Sequence, residues 1–122
     1  DVTGFSLMGH GLEMAQGSDT ELHIDTSRID FLPRALEFAD MGILPAGVYR
    51  NRNFAEPFVD AGEVPLNVQD ALYDPQTSGG LLIAVDPADA EALYAGLREA
   101  VPSAQRIGTV EPYRGGARII LK

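Results

Sequence analysis

The stretch LYDPQTSGGLLIAVD, residues 72–86, places turn-forming residues directly in front of a five-residue apolar run. That run, residues 81–85, is short, continuous and bounded by turn-forming residues, which is typical of a buried strand. In front of it, Gly79 and Gly80 permit close approach to another backbone or to a phosphate. The Gly-Lys-Ser/Thr ending of a Walker loop is missing. Residues 74–80 are therefore either a tight entry into the strand or a surface for a phosphate.

Composition limits the chain to one domain. It has 122 residues, 45% of them hydrophobic, which is enough for one closed core. Nine basic and eighteen acidic residues give a net charge of -9, which opposes nucleic acid and anionic membrane surfaces as partners. Cysteine is absent, so disulfides, thiolate catalysis and Cys-based zinc sites are excluded within the chain. No apolar stretch approaches the roughly 18 residues of a membrane span, and we expect a soluble, cytoplasmic domain.

Apolar spacing and turn residues predict both helices and strands. Helical spacing predicts helices at residues 5–16, between Asp30 and Gly42, at 66–73 and at 87–101. Alternating or continuous apolar residues predict strands at 21–25, 81–85, 105–111 and 117–121, the last two as a hairpin. Residues 43–65 contain several prolines and glycines without a sustained period and are predicted to be a long surface loop. Because no regular β-α-β rhythm appears, the fold class is predicted as α+β, with helices packed on a mixed β-sheet.

The first ten residues, DVTGFSLMGH, place a carboxylate, a hydroxyl and a glycine just before the first predicted helix. Asp1 can serve there as an oxygen ligand of Mg²⁺, beside a helix N-terminus that attracts anions. The alternative is that Asp1 or Thr3 only caps the helix, and the spacing leaves both open. Since the chain starts inside this motif and without Met, we expect it to be a fragment or a cleaved product.

Other polar residues give weaker signals. His10 and His23 have no second ligand at a metal-binding spacing, so packing or surface roles are expected for both. Residues 50–53, RNRN, are the most suggestive polar cluster of the predicted long loop. A solvated loop accounts for them without a function.

Read together, DVTGFSLMGHGLEMA at residues 1–15 and LYDPQTSGGLLIAV at residues 72–85 resemble the C-terminal half of the selenophosphate synthetases (selenide, water dikinases). The usual family forms are Asp-Val-Thr-Gly-Phe-Gly-Leu-x-Gly-His and Asp-Pro-Gln-Thr-Ser-Gly-Gly-Leu-Leu. The resemblance covers essentially the whole chain. It departs at Ser6, where the family usually has Gly, and at Gly11, where a larger apolar residue is common. We expect Ser6 to narrow the approach of a phosphate.

The resemblance implies a fold similar to the C-terminal domain of aminoimidazole ribonucleotide synthetase. Residues 1–122 would be one domain, the C-terminal half of a two-domain ATP-dependent synthetase that forms a homodimer through its N-terminal domain. In such enzymes ATP and Mg²⁺ lie between the domains, and selenide, ATP and water give selenophosphate, AMP and phosphate. The reactive Cys or selenocysteine and the Lys lie in the N-terminal domain, so no catalytic residue is expected in this chain, which alone should be inactive.

The resemblance also implies site residues. Asp1 matches the carboxylate that joins two aspartates of the N-terminal domain in holding Mg²⁺. The expected nucleotide-binding residues, Thr3, Gly4, Gly79 and Gly80, follow instead from the backbone that the two motifs can present to a phosphate, and no nucleotide contact of the family is matched to residues 77–80. The residues themselves leave open whether 77–80 shape the cleft or pack closely against the first helix.

Two other functions remain open from the sequence. The chain could belong to another ATP-using enzyme of the same superfamily, such as a purine-synthesis, thiamine-phosphate kinase or hydrogenase-maturation protein. Those relatives do not usually carry the full Asp-Pro-Gln-Thr-Ser-Gly-Gly string. The other possibility is a stand-alone binding module without catalysis.

Overall fold

The computed structural model describes all residues, 1–122, and consists of five α-helices and a four-stranded mixed sheet. The helices are α1 (Ser6–Gly17), α2 (Ala35–Asp40), α3 (Ala46–Ala55), α4 (Leu66–Leu72) and α5 (Pro87–Ala100). The strands are β1 (Thr20–Ile24), β2 (Val59–Asp60), β3 (Gly108–Pro112) and β4 (Ile119–Leu121). The predicted α+β class is confirmed. None of the helices is both long and apolar enough to cross a membrane.

The sheet is organised around β1, in the order β2-β4-β1-β3. β1 is antiparallel to β3 and parallel to β4, and Leu22 of β1 lies opposite both Val110 and Ile119. The predicted hairpin of residues 105–111 and 117–121 is therefore wrong, because β1 lies between the two strands. A turn between two strands in the sequence does not reveal that a distant strand inserts between them.

α1 covers one side of this sheet. Met8, Leu12 and Ala15 repeat at i, i+4 and i+7 on the helix and are fully buried. They belong to the same core as Leu22 and Ile119 of the sheet. Each large apolar side chain buried in this way contributes roughly 1.5–3 kcal/mol relative to an exposed position. The helix predicted at residues 5–16 is thus confirmed to within one residue.

Two of the other predicted helices also form. α4 matches the prediction at residues 66–73, and α5 begins as its sequence predicts. The Asp86 carboxylate accepts a hydrogen bond of 2.8 Å from the Ala88 backbone N–H, and Pro87 occupies the first helical position. Local capping signals were sufficient here because they depend on residues that are neighbours in the chain.

α2 is shorter than the sequence predicts. It begins at Ala35 after Arg34, which has a positive φ of 68°, and Gly42 follows its end with φ 71°. Asp30 does not cap it, since the Asp30 carboxylate instead accepts a hydrogen bond of 3.2 Å from the Gln105 side chain. Because a residue with a positive φ cannot continue a right-handed helix, α2 starts after Arg34 and does not include Pro33 in its first turn.

The strand predicted at residues 81–85 is wrong. This run forms no strand and pairs with none of the four strands of the sheet. Leu82 is half-buried and lies over α1 near Gly11, whereas Leu81 is 73% exposed. Continuous apolar character indicates a preference for contact with a core but does not determine a strand partner.

The long loop predicted at residues 43–65 is also wrong, because this segment contains α3, a 3₁₀ turn at Glu56–Phe58 and β2. Val48, Asn51 and Ala55 are buried and repeat at i, i+3 and i+7, which is helical spacing. Since the middle one of these positions is a polar asparagine, the apolar period is interrupted. Residues 50–53 therefore lie in a helix rather than in a solvated loop.

Glu21 of β1 is a buried carboxylate, 4% exposed. Its Oε1 lies 2.9 Å from His23 Nε2, and its Oε2 accepts a hydrogen bond of 3.1 Å from the Arg114 backbone N–H. The hydrogen bond with His23 lowers the pKa of Glu21 below its ordinary 4.5, and the contacts with Arg114 act in the same direction. The unfolded chain therefore binds this proton more readily, so the stabilisation is present above pH 4.5 and is lost as the pH falls.

We predict that Glu21→Gln reduces the acid sensitivity of the fold. Urea unfolding between about pH 6 and about pH 3 should give a smaller fall in the free energy of unfolding than in the wild type. Glu63→Gln is the control, because Glu63 is exposed and makes no ion pair. Equal pH slopes for the wild type and Glu21→Gln would contradict the prediction.

Candidate functional site

The two sequence motifs meet in the structure. The backbone N–H of Val2 donates a hydrogen bond of 2.9 Å to the Gly80 carbonyl, and the Gln76 N–H donates one of 3.1 Å to the Thr3 carbonyl. We call residues 2–4 and 76–80, held by these two bonds, the motif junction. It places the first residues of the chain beside the loop that follows Asp74.

Gly79 is required for this contact. A Cβ atom added at Gly79 would lie 2.0 Å from the Val2 carbonyl oxygen, which no side chain can tolerate. A Cβ at Gly80 would meet nothing within 4 Å, and neither glycine has a positive φ. Of the two roles that the sequence left open for residues 77–80, Gly79 has the packing role, against the segment just before α1.

Asn51 of α3 hydrogen-bonds to Gly4 of the motif junction and to Tyr73, which precedes the DPQTSGG loop. Its Nδ2 donates hydrogen bonds of 3.0 Å to the carbonyls of Gly4 and Tyr73, which uses both hydrogens of the amide. Asn51 and Tyr73 are buried, so the Tyr73 carbonyl would otherwise lack a partner away from water, whereas Gly4 is exposed. α3 approaches the loop closely as well, since a Cβ at Gly47 would lie 2.6 Å from Pro75 Cγ.

A cleft of about 630 Å³ opens beside the motif junction. One wall is a face of α3, where the lining residues follow the i, i+3, i+4, i+7 spacing: Gly47, Arg50, Asn51 and Phe54. The remaining lining residues come from both motifs and from α1: Thr3, Gly4, Phe5, His10 and Pro75. The cleft therefore contains Thr3 and Gly4, two of the four residues predicted to bind nucleotide.

The Thr3 hydroxyl is held by a chain of two hydrogen bonds. Thr3 Oγ1 lies 2.9 Å from His10 Nε2, and His10 Nδ1 lies 2.9 Å from the Glu13 carboxylate. With Nδ1–H donated to the carboxylate, the neutral imidazole presents Nε2 as the acceptor for the Thr3 hydroxyl hydrogen. The chain fixes the orientation of the hydroxyl oxygen on the cleft wall.

Sequence reasoning missed several residues of this cleft. His10 was expected only to pack or to lie on the surface, and Arg50 and Asn51 were placed in a solvated loop. One signal was available, because a Gly-x-x-Arg-Asn-x-x-Phe spacing brings four residues onto one helical face. A second was the spacing of His10 and Glu13, which are three residues apart on α1 and so are neighbours on its surface.

Asp74, the first residue of the DPQTSGG string, has its carboxylate engaged inside its own loop. Gln76 Nε2 donates a hydrogen bond of 2.9 Å to it. Burial raises the pKa of Asp74 above its ordinary value, and the hydrogen bond from Gln76 opposes that rise. The same Gln76 supplies the backbone N–H to Thr3, so its side chain and main chain together hold the loop against the N-terminal segment.

Asp1 is exposed, and its carboxylate makes no hydrogen bond or ion pair within the chain. The alternative that Asp1 or Thr3 only caps the first helix is wrong, because α1 begins after Phe5 and receives no side-chain cap from either residue. No group of three or more His, Cys, Asp and Glu side chains in the chain could hold a metal ion. Because Mg²⁺ typically takes one or two protein carboxylates with its other ligands from phosphates and water, Asp1 fits as one ligand of a site completed by other groups. Its metal role remains a prediction.

Ser6 occupies a backbone conformation that favours glycine. Its φ is 70°, which costs an L-residue roughly 1–2 kcal/mol relative to the right-handed region. This accounts for the glycine that the resembling family usually has at the position. The expectation that Ser6 narrows the approach of a phosphate is wrong, because its side chain is fully buried and does not line the cleft.

Comparison with known proteins identifies the family. Residues 1–120 match the family described as AIR synthase related protein, C-terminal domain. The chain belongs to this family.

Its relatives are more specific. The chain is 48% identical over 101 residues to a selenide, water dikinase of Treponema denticola, covering 83% of this chain and 28% of that protein. It is 44% identical over 114 residues to a selenide, water dikinase of Clostridioides difficile, covering 92% of this chain and 33% of that protein. It is 42% identical over 120 residues to the selenide, water dikinase of Escherichia coli strain K12, covering 98% of this chain and 34% of that protein. The resemblance to the selenophosphate synthetases that the two motifs indicate is confirmed, and the chain spans about a third of the length of these relatives.

We predict that Gly79→Ala destabilises the fold by about 3 kcal/mol, because the new methyl group forces Val2 and the loop apart. Gly80→Ala is the matched control and should change the free energy of unfolding by less than about 1 kcal/mol. Urea unfolding of the two variants measures both values. Similar stabilities for the two would show that the loop does not pack against Val2 in this way.

We predict that Asn51→Ala lowers the free energy of unfolding by about 2 kcal/mol, since the buried Tyr73 carbonyl and the more exposed Gly4 carbonyl both lose their donor. Asn53→Ala, the same substitution at an exposed position of the same helix, should stay within about 0.5 kcal/mol of the wild type. Helix propensity cancels between the two variants. Thermal or urea unfolding separates the outcomes, and an equally mild effect at both positions would contradict the role given to Asn51.

Proposed function

We propose that the chain is the C-terminal domain of a two-domain selenide, water dikinase and that its cleft forms one wall of the ATP site. The observation that carries this proposal is the motif junction, which brings Thr3 and Gly4 to the cleft and holds them there with Gln76 and Asn51. The names of the relatives support the reaction, in which selenide, ATP and water give selenophosphate, AMP and phosphate.

Each predicted site residue has a role in this proposal. Asp1 supplies one carboxylate oxygen to Mg²⁺, together with two aspartates of the N-terminal domain. Thr3 and Gly4 face the nucleotide phosphates. Gly79 and Gly80 do not line the cleft and contribute only through the backbone contacts that hold Val2. When bound, Mg²⁺ neutralises the charge of the triphosphate during phosphoryl transfer.

The remaining parts of the enzyme lie outside this chain in the proposal. The N-terminal domain of the same protein contributes the reactive Cys or selenocysteine and the Lys, and it forms the homodimer. The full-length protein acts on ATP and selenide in the cytoplasm. Residues 1–122 alone, with a single metal ligand and no catalytic residue, form no selenophosphate.

We predict that Asp1→Asn in the full-length protein lowers selenide-dependent AMP formation at least about 100-fold and raises the Mg²⁺ concentration needed for half-maximal rate. The physical reason is that the amide keeps the shape of the side chain but removes the anionic ligand. Asp89→Asn, at an exposed carboxylate of α5, is the control and should retain wild-type activity.

The same assay also tests the wider proposal. Activity of the full-length protein with selenide, and none from residues 1–122, is the expected result. Consumption of ATP only with a different acceptor would reject the selenium reaction, and would point to another ATP-using member of the family. Wild-type activity and Mg²⁺ dependence in Asp1→Asn would reject the metal role of Asp1.

A further inference from the structure

Arg50 is the one guanidinium on the wall of the cleft. It lies on the face of α3 that includes Gly47, Asn51 and Phe54, and Thr3 and Gly4 line the same cleft. The side chain is exposed and makes no ion pair or hydrogen bond within the chain. Its donors are therefore available to a molecule in the cleft.

The neighbouring arginine of the same helix is used differently. Arg52 donates hydrogen bonds of 2.6 Å to Asp70 and 3.2 Å to Glu56, and its guanidinium lies 4.6 Å from the centre of the Tyr73 ring. Two residues correspond to about 200° of helical rotation, so Arg50 points to the opposite side of α3. Arg52 joins α3 to α4, whereas Arg50 has no structural partner.

The charge around Arg50 differs from that of the chain as a whole. The net charge of the chain is -9, yet no Asp or Glu lines the cleft. His10 is the only other titratable side chain of the lining, and it is occupied by Thr3 and Glu13. An anion in the cleft therefore meets the Arg50 guanidinium, and none of the residues that line the cleft is a carboxylate.

We infer that Arg50 binds the phosphate oxygens of the nucleotide in this cleft. The inference rests on the proposed function, and it adds a residue that neither motif contains. A guanidinium presents paired N–H donors that match two phosphate oxygens, and the charge-assisted bonds are stronger than neutral ones. The ligand class that fits is a phosphorylated one, because a guanidinium lines the cleft and no carboxylate does.

The test is the dissociation constant of Mg²⁺-ATP for the full-length protein, measured by titration calorimetry. Arg50→Gln should raise it at least about tenfold, which corresponds to the loss of one charge-assisted contact. The dissociation constant of Arg50→Lys should lie between those of Arg50→Gln and the wild type, because lysine keeps the positive charge but lacks the paired N–H donors of the guanidinium. Arg28→Gln is the control at an exposed arginine that pairs with Asp25 outside the cleft, and it should bind as the wild type does.

Urea unfolding is the folding control. We expect Arg50→Gln to have the free energy of unfolding of the wild type, so that weaker binding cannot be due to loss of structure. Binding of Mg²⁺-ATP within about twofold of the wild type would overturn the inference. Absence of Mg²⁺-ATP binding by the wild type would overturn it too. If binding depends on Arg50 but no AMP forms from selenide, the inference stands and the proposed function fails.

Discussion

Two backbone hydrogen bonds, from Val2 to Gly80 and from Gln76 to Thr3, join the first residues of the chain to a loop in its second half. A contact of this kind can form only if the two backbones approach without a side chain between them, and Gly79 provides that space. Because these bonds determine where Thr3 and Gly4 lie, the geometry of the cleft depends on them.

The rest of the site is built outward from this contact. Asn51 donates to the carbonyls of Gly4 and Tyr73, so α3 cannot move away without leaving the buried Tyr73 carbonyl unpaired. With α3 held in this orientation, Arg50 and Phe54 face the cleft and Arg52 faces α4. On the opposite wall, Glu13 orients His10, and His10 orients the Thr3 hydroxyl. The segment of residues 2–4 is thus held by contacts with α1, with α3 and with the loop of residues 76–80.

The same physics separates what the sequence could predict from what it could not. The helices at 5–16, 66–73 and 87–101 were predictable because apolar spacing and capping depend on nearby residues. The pairing of β1 with β3 and β4 was not, because strand partners are chosen across the whole chain. α3 was missed because one of its buried positions is the polar Asn51, whose function is to hydrogen-bond rather than to fill the core.

For the candidate site, the sequence identified the residues that the motifs contain and missed those that the fold brings to them. Thr3 and Gly4, which line the cleft, were proposed from residue type and spacing, and the metal role of Asp1 stays a prediction. His10, Arg50 and Asn51 were missed, since their place in the cleft follows from helical faces whose orientation the sequence leaves open. The motif suggested that Gly79 allows a close approach of another group, but the sequence could not identify that group as the Val2 carbonyl.

The most direct test of the motif junction is amide hydrogen exchange at Gln76 in the folded chain. Thr77 and Ser78, in the same loop, donate no backbone hydrogen bond. We expect the Gln76 amide to exchange at least about 100-fold more slowly than those of Thr77 and Ser78, at a rate close to that of the buried turns of α1. If Gln76 exchanges as fast as Thr77 and Ser78, the loop is not bound to Thr3, and the account of the cleft fails with it.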